Sequence, residues 1–334
     1  MSEVTIDTGP LKGAMLQSKG GAEVGFFGGI PYAQPPVGEL RWRAPQAPDS
    51  WVECRDATTY GPSCPQFIHG EGGFRDTITR ALGIETPDVE ALTYDEDCLF
   101  LNVFSPDINS EANLPVLFWV HGGAHRFGSS TNYPGQELAA KGVVVVTINY
   151  RLGPLGFLSH PELSAEGCQG NQGLLDTVFA LQWVQRNISQ FGGDAANVTV
   201  FGESAGGHST CAMFTSPLCK GLVHRAIAQS GMGAQATQLL DKPGAVPISA
   251  HDTGEILGEV IGCETGEDQP QAMRGIDVDE LISNPAAFPI PGVIICGYSQ
   301  PDNPLSLVRN GQHHGIPLMT RRNADERPAV VLAS

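Results

Sequence analysis

Ser204 stands in the run Val198-Thr-Val-Phe-Gly-Glu-Ser-Ala-Gly-Gly207. A β-branched and aromatic stretch stops at Gly202, the serine follows, and small residues continue after it. This is G-x-S-x-G placed where a strand turns sharply into a helix, the arrangement that exposes a nucleophilic hydroxyl. The serine has to take a strained backbone, so its flanks at Gly202 and Gly206 must be nearly free of side chain. The helix that follows points its first N–H groups at the place where negative charge develops. A second group of residues suits the same chemistry. His121-Gly-Gly-Ala124 comes directly after an apolar run ending at Val120. Glycines there free backbone N–H groups to face a ligand, one half of an oxyanion hole that the residue after the nucleophile completes. The donors are assigned as Gly123, Ala124 and Ala205. Each such donor can be worth roughly 3 kcal/mol to a tetrahedral intermediate in a water-poor site.

These residues need a scaffold that brings the ends of two strands together. Leu99 to Phe104, Pro115 to Val120 and Val143 to Ile148 read as strands, the last two nearly continuous in apolar residues. Such runs suit strands of a parallel sheet buried on both faces. Gly173 to Ser189 is the clearest helix, with Leu174, Val178, Leu181, Val184 and Ile188 at steps of three and four. Val223 to Gln229 and Ile316 to Met319 read as further strands, and Thr253 to Ile261 and Val278 to Ser283 as helices. Residues 3–28 alternate short apolar runs with glycine and read as small antiparallel strands. The expected fold class is α/β: one domain over residues 1–334, with a mostly parallel, doubly wound central sheet and a small antiparallel N-terminal sheet.

Composition narrows the partners. A net charge of -17, with Arg321-Arg322 as the only adjacent basic pair, argues against nucleic acid. No apolar run approaches a membrane span. Met1-Ser-Glu-Val-Thr-Ile-Asp7 lacks a basic start and an apolar core, so no signal peptide is visible and a cytoplasmic location is expected. The eight cysteines lack C-x-x-C spacing, so no metal is expected, and nothing calls for a cofactor.

Beyond the elbow and the glycine loop, several further runs are distinctive: Gly29-Ile-Pro-Tyr-Ala-Gln-Pro-Pro-Val-Gly38, Glu96-Asp-Cys-Leu-Phe-Leu-Asn102, Asn149-Tyr-Arg-Leu-Gly153 and Gly170-Asn-Gln-Gly-Leu-Leu-Asp176. With these, the chain resembles the type-B carboxylesterases, relatives of the cholinesterases within the α/β-hydrolase fold. The resemblance implies a serine carboxylester hydrolase acting on small esters without metal or cofactor. Ser204 would be the nucleophile, Glu203 its buried acidic neighbour and Glu326 the triad acid. It also implies structural ion pairs, Arg41 with Glu96 and Arg151 with Asp176, and a disulfide between Cys64 and Cys98. A bridge closing a loop of that size would stabilise by about 4 kcal/mol on the chain-entropy model. Cys263 is expected as a free core thiol, because Ala272 stands near where its partner would be.

Three features depart from the family pattern. His125 replaces the aromatic residue usual after the oxyanion loop, which bears on the pocket wall. The stretch from Cys64 to Cys98 holds no tryptophan, so a choline-binding aromatic has no counterpart. No histidine follows Glu326, although a triad in the order Ser…Asp/Glu…His requires one. His208 lies one helical turn beyond Ser204, pointing away from the acyl site; His121 and His125 flank the oxyanion loop, His313-His314 precede the last strand, and His69, His160, His224 and His251 have no motif around them. The expectation is therefore a fold whose C-terminal part, with the catalytic histidine, is missing, and a chain that is a poor esterase. The alternative is a non-catalytic or impaired cholinesterase-like domain.

Overall fold

The computed structural model describes residues 2–66, 92–167, 169–231, 238–264, 266, 268–284 and 292–324. Among the described residues, ten strands form one sheet: β1 (Ser2–Ile6), β2 (Gly9–Gln17), β3 (Glu23–Pro31), β4 (Arg55–Asp56), β5 (Phe100–Ser105), β6 (Leu114–Val120), β7 (Val144–Ile148), β8 (Gly193–Glu203), β9 (Arg225–Gln229) and β10 (Leu318–Arg321). Their order is β1-β2-β3-β5-β7-β6-β8-β9-β10, with β4 paired to β2. From β7 through β6, β8 and β9 to β10 every pairing is parallel. From β1 through β2, β3 and β5 to β7 every pairing is antiparallel. The expected antiparallel N-terminal strands are thus joined edge to edge with the parallel half through β5.

Burial explains why the central strands read as unbroken apolar runs. On β7, Val144, Val146 and Ile148 belong to the main core, while Val145 packs in a second cluster with Val24, Phe26 and Phe104. Successive side chains point to opposite faces, so two clusters mean two covered faces. The main core takes in the helix Gln172–Asn187, whose Leu174, Val178, Leu181 and Val184 are buried, followed by buried Ile188 and Phe191. Asn171 starts that helix at φ 59°. The helix foreseen from Thr253 begins earlier, at Ala250, because Ser249 and Asp252 form a capping box. The strand foreseen from Ile316 is shifted to Leu318–Arg321, and all four of its residues are exposed.

The two ion pairs pin loops to this frame. Arg151 grips Asp176 with Nε and Nη2 at 2.9 and 2.7 Å, both side chains buried, and the Arg151 amide adds a third bond to the same carboxylate. Arg41 pairs with Glu96 and also donates from Nη1 to the Ile276 carbonyl at 2.7 Å. Cys64 and Cys98 are both free thiols in the structure. The neighbouring Cys64 thiol and burial raise the Cys98 thiol well above the usual thiol range. Cys263 is likewise a free, buried thiol.

Candidate active site

The register of β6 against β8 sets the site. Val120 lies opposite Gly202, so the two chains leave neighbouring parallel strands at the same level and on the same end of the sheet. Ligands of open α/β sheets bind at this carboxyl end. From Gly202 the chain reaches Ser204 at φ 55°, ψ −119°, and the helix Ala205–Thr215 begins at the next residue. The Ser204 amide donates to the Gln229 carbonyl at 2.8 Å, tying the elbow to the end of β9.

Glycine is required where the two chains pass. A Cβ on Gly206 would lie 2.0 Å from the Val120 carbonyl oxygen, and one on Gly202 would lie 2.5 Å from the Gly206 carbonyl carbon. A Cβ on Gly122 would lie 2.8 Å from the Glu203 carbonyl oxygen and 3.3 Å from the Ser204 Cβ. The loop after β6 therefore lies directly against the elbow. Gly123 continues it at φ 108°, and Ala124 and His125 follow at 55° and 57°. The expected donor-bearing residues Gly123, Ala124 and Ala205 are brought to one end of the sheet. Glu203, half-buried, lies between Gly202 and the serine. Glu326 lies outside the described residues.

The loop is held by residues whose role the sequence did not show. Gln66 closes a two-way bond with Gly128: its Nε2 donates to the carbonyl at 2.9 Å and its Oε1 accepts the amide at 2.7 Å. The run Asn149-Tyr-Arg151 divides its work among three residues. Asn149 accepts from the Ser130 amide and donates to the Pro62 carbonyl. Tyr150 donates to the His121 carbonyl and stacks on the His121 ring at 4.5 Å. Arg151 holds Asp176. The motif was visible, but only the Arg151–Asp176 link was assigned from it.

The histidines are spread through the fold. The His121 Nδ1 meets the Gly122 carbonyl at 2.8 Å, and burial pushes its pKa down to about 4. His125 turns its Nε2 to the Ser209 hydroxyl at 2.9 Å, and burial pushes it to about 3. It thus faces the helix after the serine, not an open pocket wall. His160 meets Gln269, His251 meets Ser164, His224 accepts from the Val198 amide, and His314 meets the Met213 carbonyl. His313 stacks on Phe214 at 5.1 Å. The His208 amide donates to the Ser204 carbonyl at 2.9 Å, placing this residue one turn into the helix, and burial lowers the pKa of its ring. His69 lies outside the described residues.

A serine on a strand-to-helix elbow, at the carboxyl end of a parallel array covered on both faces, defines the α/β-hydrolase class. The carboxylesterase family model matches residues 1–333. The chain is 39% identical to the para-nitrobenzyl esterase of Bacillus subtilis (strain 168) over 348 residues, covering 97% of this chain and 62% of that protein. It is 38% identical to the cocaine esterase of Homo sapiens, covering 96% of this chain and 56% of that protein. Among solved structures, a PNB esterase superposes with a TM-score of 0.79 at 37% identity, covering 97% of this chain and 64% of that one. The chain belongs to the carboxylesterase family. It spans less than two thirds of the length of these relatives.

Proposed function

We propose that this chain carries the acyl-transfer site of a serine carboxylester hydrolase acting on small carboxylic esters. The observation that supports this most directly is the elbow: a serine at positive φ, immediately before the helix Ala205–Thr215, with the loop after β6 packed against it. In this reading the Ser204 Oγ attacks the ester carbonyl carbon. The N–H groups of Gly123, Ala124 and Ala205 stabilise the oxyanion, the alcohol departs, and water hydrolyses the acyl-enzyme. Glu326 takes the part of the triad acid, and Glu203 is a half-buried carboxylate beside the nucleophile. The base is assigned to none of the nine histidines, since the resemblance places it after the acid and none follows Glu326. Residues 1–334 assayed by themselves, with no histidine after the acid, should retain only the oxyanion-hole and binding contributions, roughly a thousandfold or more over water.

The test is covalent. The Ser204 Oγ should attack the phosphorus of a fluorophosphonate and expel fluoride to solvent, leaving an adduct that peptide mass spectrometry maps to that residue, with labelling abolished in Ser204→Ala. An adduct elsewhere with Ser204 unmodified would refute the assignment. The 334-residue chain should hydrolyse p-nitrophenyl acetate slowly and in a Ser204-dependent way. Vigorous turnover would mean that one of its own histidines serves as base.

A further inference from the structure

The oxyanion donors named above come from two separate elements, the loop after β6 and the first turn of the helix Ala205–Thr215. Something has to hold these elements at a fixed spacing, because small displacements of a stabilising group cost rate steeply. Besides the close backbone packing at Gly122 and Gly206, one side-chain contact between them runs through His125. Its Nε2 lies 2.9 Å from the Ser209 Oγ. Ser209 is one turn along from Ala205, so the imidazole grips the very turn that supplies the third donor. The loop end is fixed equally well. The His125 carbonyl accepts the Gly153 amide at 2.6 Å, and its ring packs on Phe157 at 4.9 Å. On the far side Gly292 leaves room for hydrogen only, since a Cβ there would lie 2.1 Å from the His125 Nδ1.

Both members of the contact are buried, His125 at 6% and Ser209 at 2% exposure. Other hydroxyls on this helix bond within it: Thr210 donates to the Gly206 carbonyl and Thr215 to that of Cys211. The Ser209 hydroxyl instead meets a ring carried by another element. A phenyl ring would fill similar space but would offer no nitrogen to that hydroxyl. The groups facing the imidazole are His208 from the helix, His121 from the start of the loop and Tyr150 at the ring edge.

We infer that His125 is a positioning residue, which through Ser209 locks the oxyanion loop to the nucleophile's helix and fixes the spacing of the Gly123, Ala124 and Ala205 N–H groups. This rests on the reading of Ser204 and its donors given above. The test compares His125→Phe, Ser209→Ala, the double variant and His125→Gln, which keeps an amide donor. Two readouts are needed. In fluorophosphonate labelling, each single variant should lose roughly ten- to a hundredfold in the maximal inactivation rate. The inhibitor's half-saturation should be unchanged, the double variant should be no slower than the worse single, and His125→Gln should recover part of the loss. In amide hydrogen exchange, residues 123–127 and 205–208 should exchange faster in each variant, beyond any global change in stability. Additive losses, a loss confined to half-saturation, or unchanged exchange in both segments would overturn the inference. If the parent protein is not labelled at Ser204, the functional reading fails, while the exchange comparison still decides whether the tether exists. If His125→Phe does not fold, Ser209→Ala reads the same contact from the other side.

Discussion

At Ser204, φ 55° with ψ −119° is a backbone combination that a residue with a Cβ adopts only under strain. Strain of this kind costs on the order of 1–3 kcal/mol and is retained where function needs it. The expected consequence is a trade of stability for chemistry. Ser204→Gly should be more stable than Ser204→Ala by about 1 kcal/mol, because both remove the hydroxyl but only glycine relieves the backbone. Urea midpoints of the two variants measure this, and an equal or lower midpoint for the glycine variant would contradict it. The serine and its glycine neighbours were legible in the sequence because a strained turn restricts residue type so severely. The His125–Ser209 contact was not. Its members stand 84 residues apart, and each alone is an ordinary buried polar group. Only the folded distance joins them.

For the elements, the informative place is the crossing of the end of β6 with the helix start. Gly206 has no room for a methyl group, with the Val120 carbonyl oxygen 2.0 Å from where it would sit. That oxygen and the His121 carbonyl oxygen, 2.9 Å from the same point, are both backbone, so the backbone itself would have to move. Gly206→Ala should therefore destabilise by roughly 1–3 kcal/mol or more. Gly221→Ala serves as the comparison for a glycine held by conformation alone, at φ 82° with no atom near its missing Cβ. Thermal melting of the pair separates crowding from backbone preference, and equal losses would argue against the crossing as the tight point. Strand and helix identities were readable from periodicity, because β6, β7 and the helix Gln172–Asn187 obey their patterns closely. Boundaries were less so. The start at Ala250 was signalled by Ser249 and Asp252 three residues apart, a cap that apolar spacing does not register. The shift of the last strand to Leu318–Arg321 follows from pairing with Ala226–Gln229, a tertiary constraint.

Over the whole molecule, the buried imidazoles couple folding to pH. Burial lowers His121 to about 4 and His125 to about 3, against an ordinary value near 6.5 in an unfolded chain. The unfolded state therefore binds more protons between those values, so stability is complete above about pH 6.5 and falls as the pH drops toward 4 and 3. By pH 5 each imidazole should cost on the order of 2 kcal/mol. Urea unfolding at pH 7.5 and 5.0 measures the loss, and His125→Phe should remove about half of the part due to these two rings. A flat profile in the parent protein would count against both. The α/β class was legible at this scale, but the strand order was not, since periodicity says which faces are buried and nothing about which strand lies next to which. That order has a bearing on how the protein is made. β6 lies between β7 and β8, both of which follow it in the chain. On the ribosome, the apolar strand Leu114–Val120 must wait for the segment 121–192 to be synthesised before its second neighbour exists. At roughly 5–20 residues per second that wait lasts several seconds. During this interval one edge of the future sheet is open to any passing strand, a window in which a holdase chaperone would raise yield and a faster codon programme through β7 and β8 would shorten the exposure.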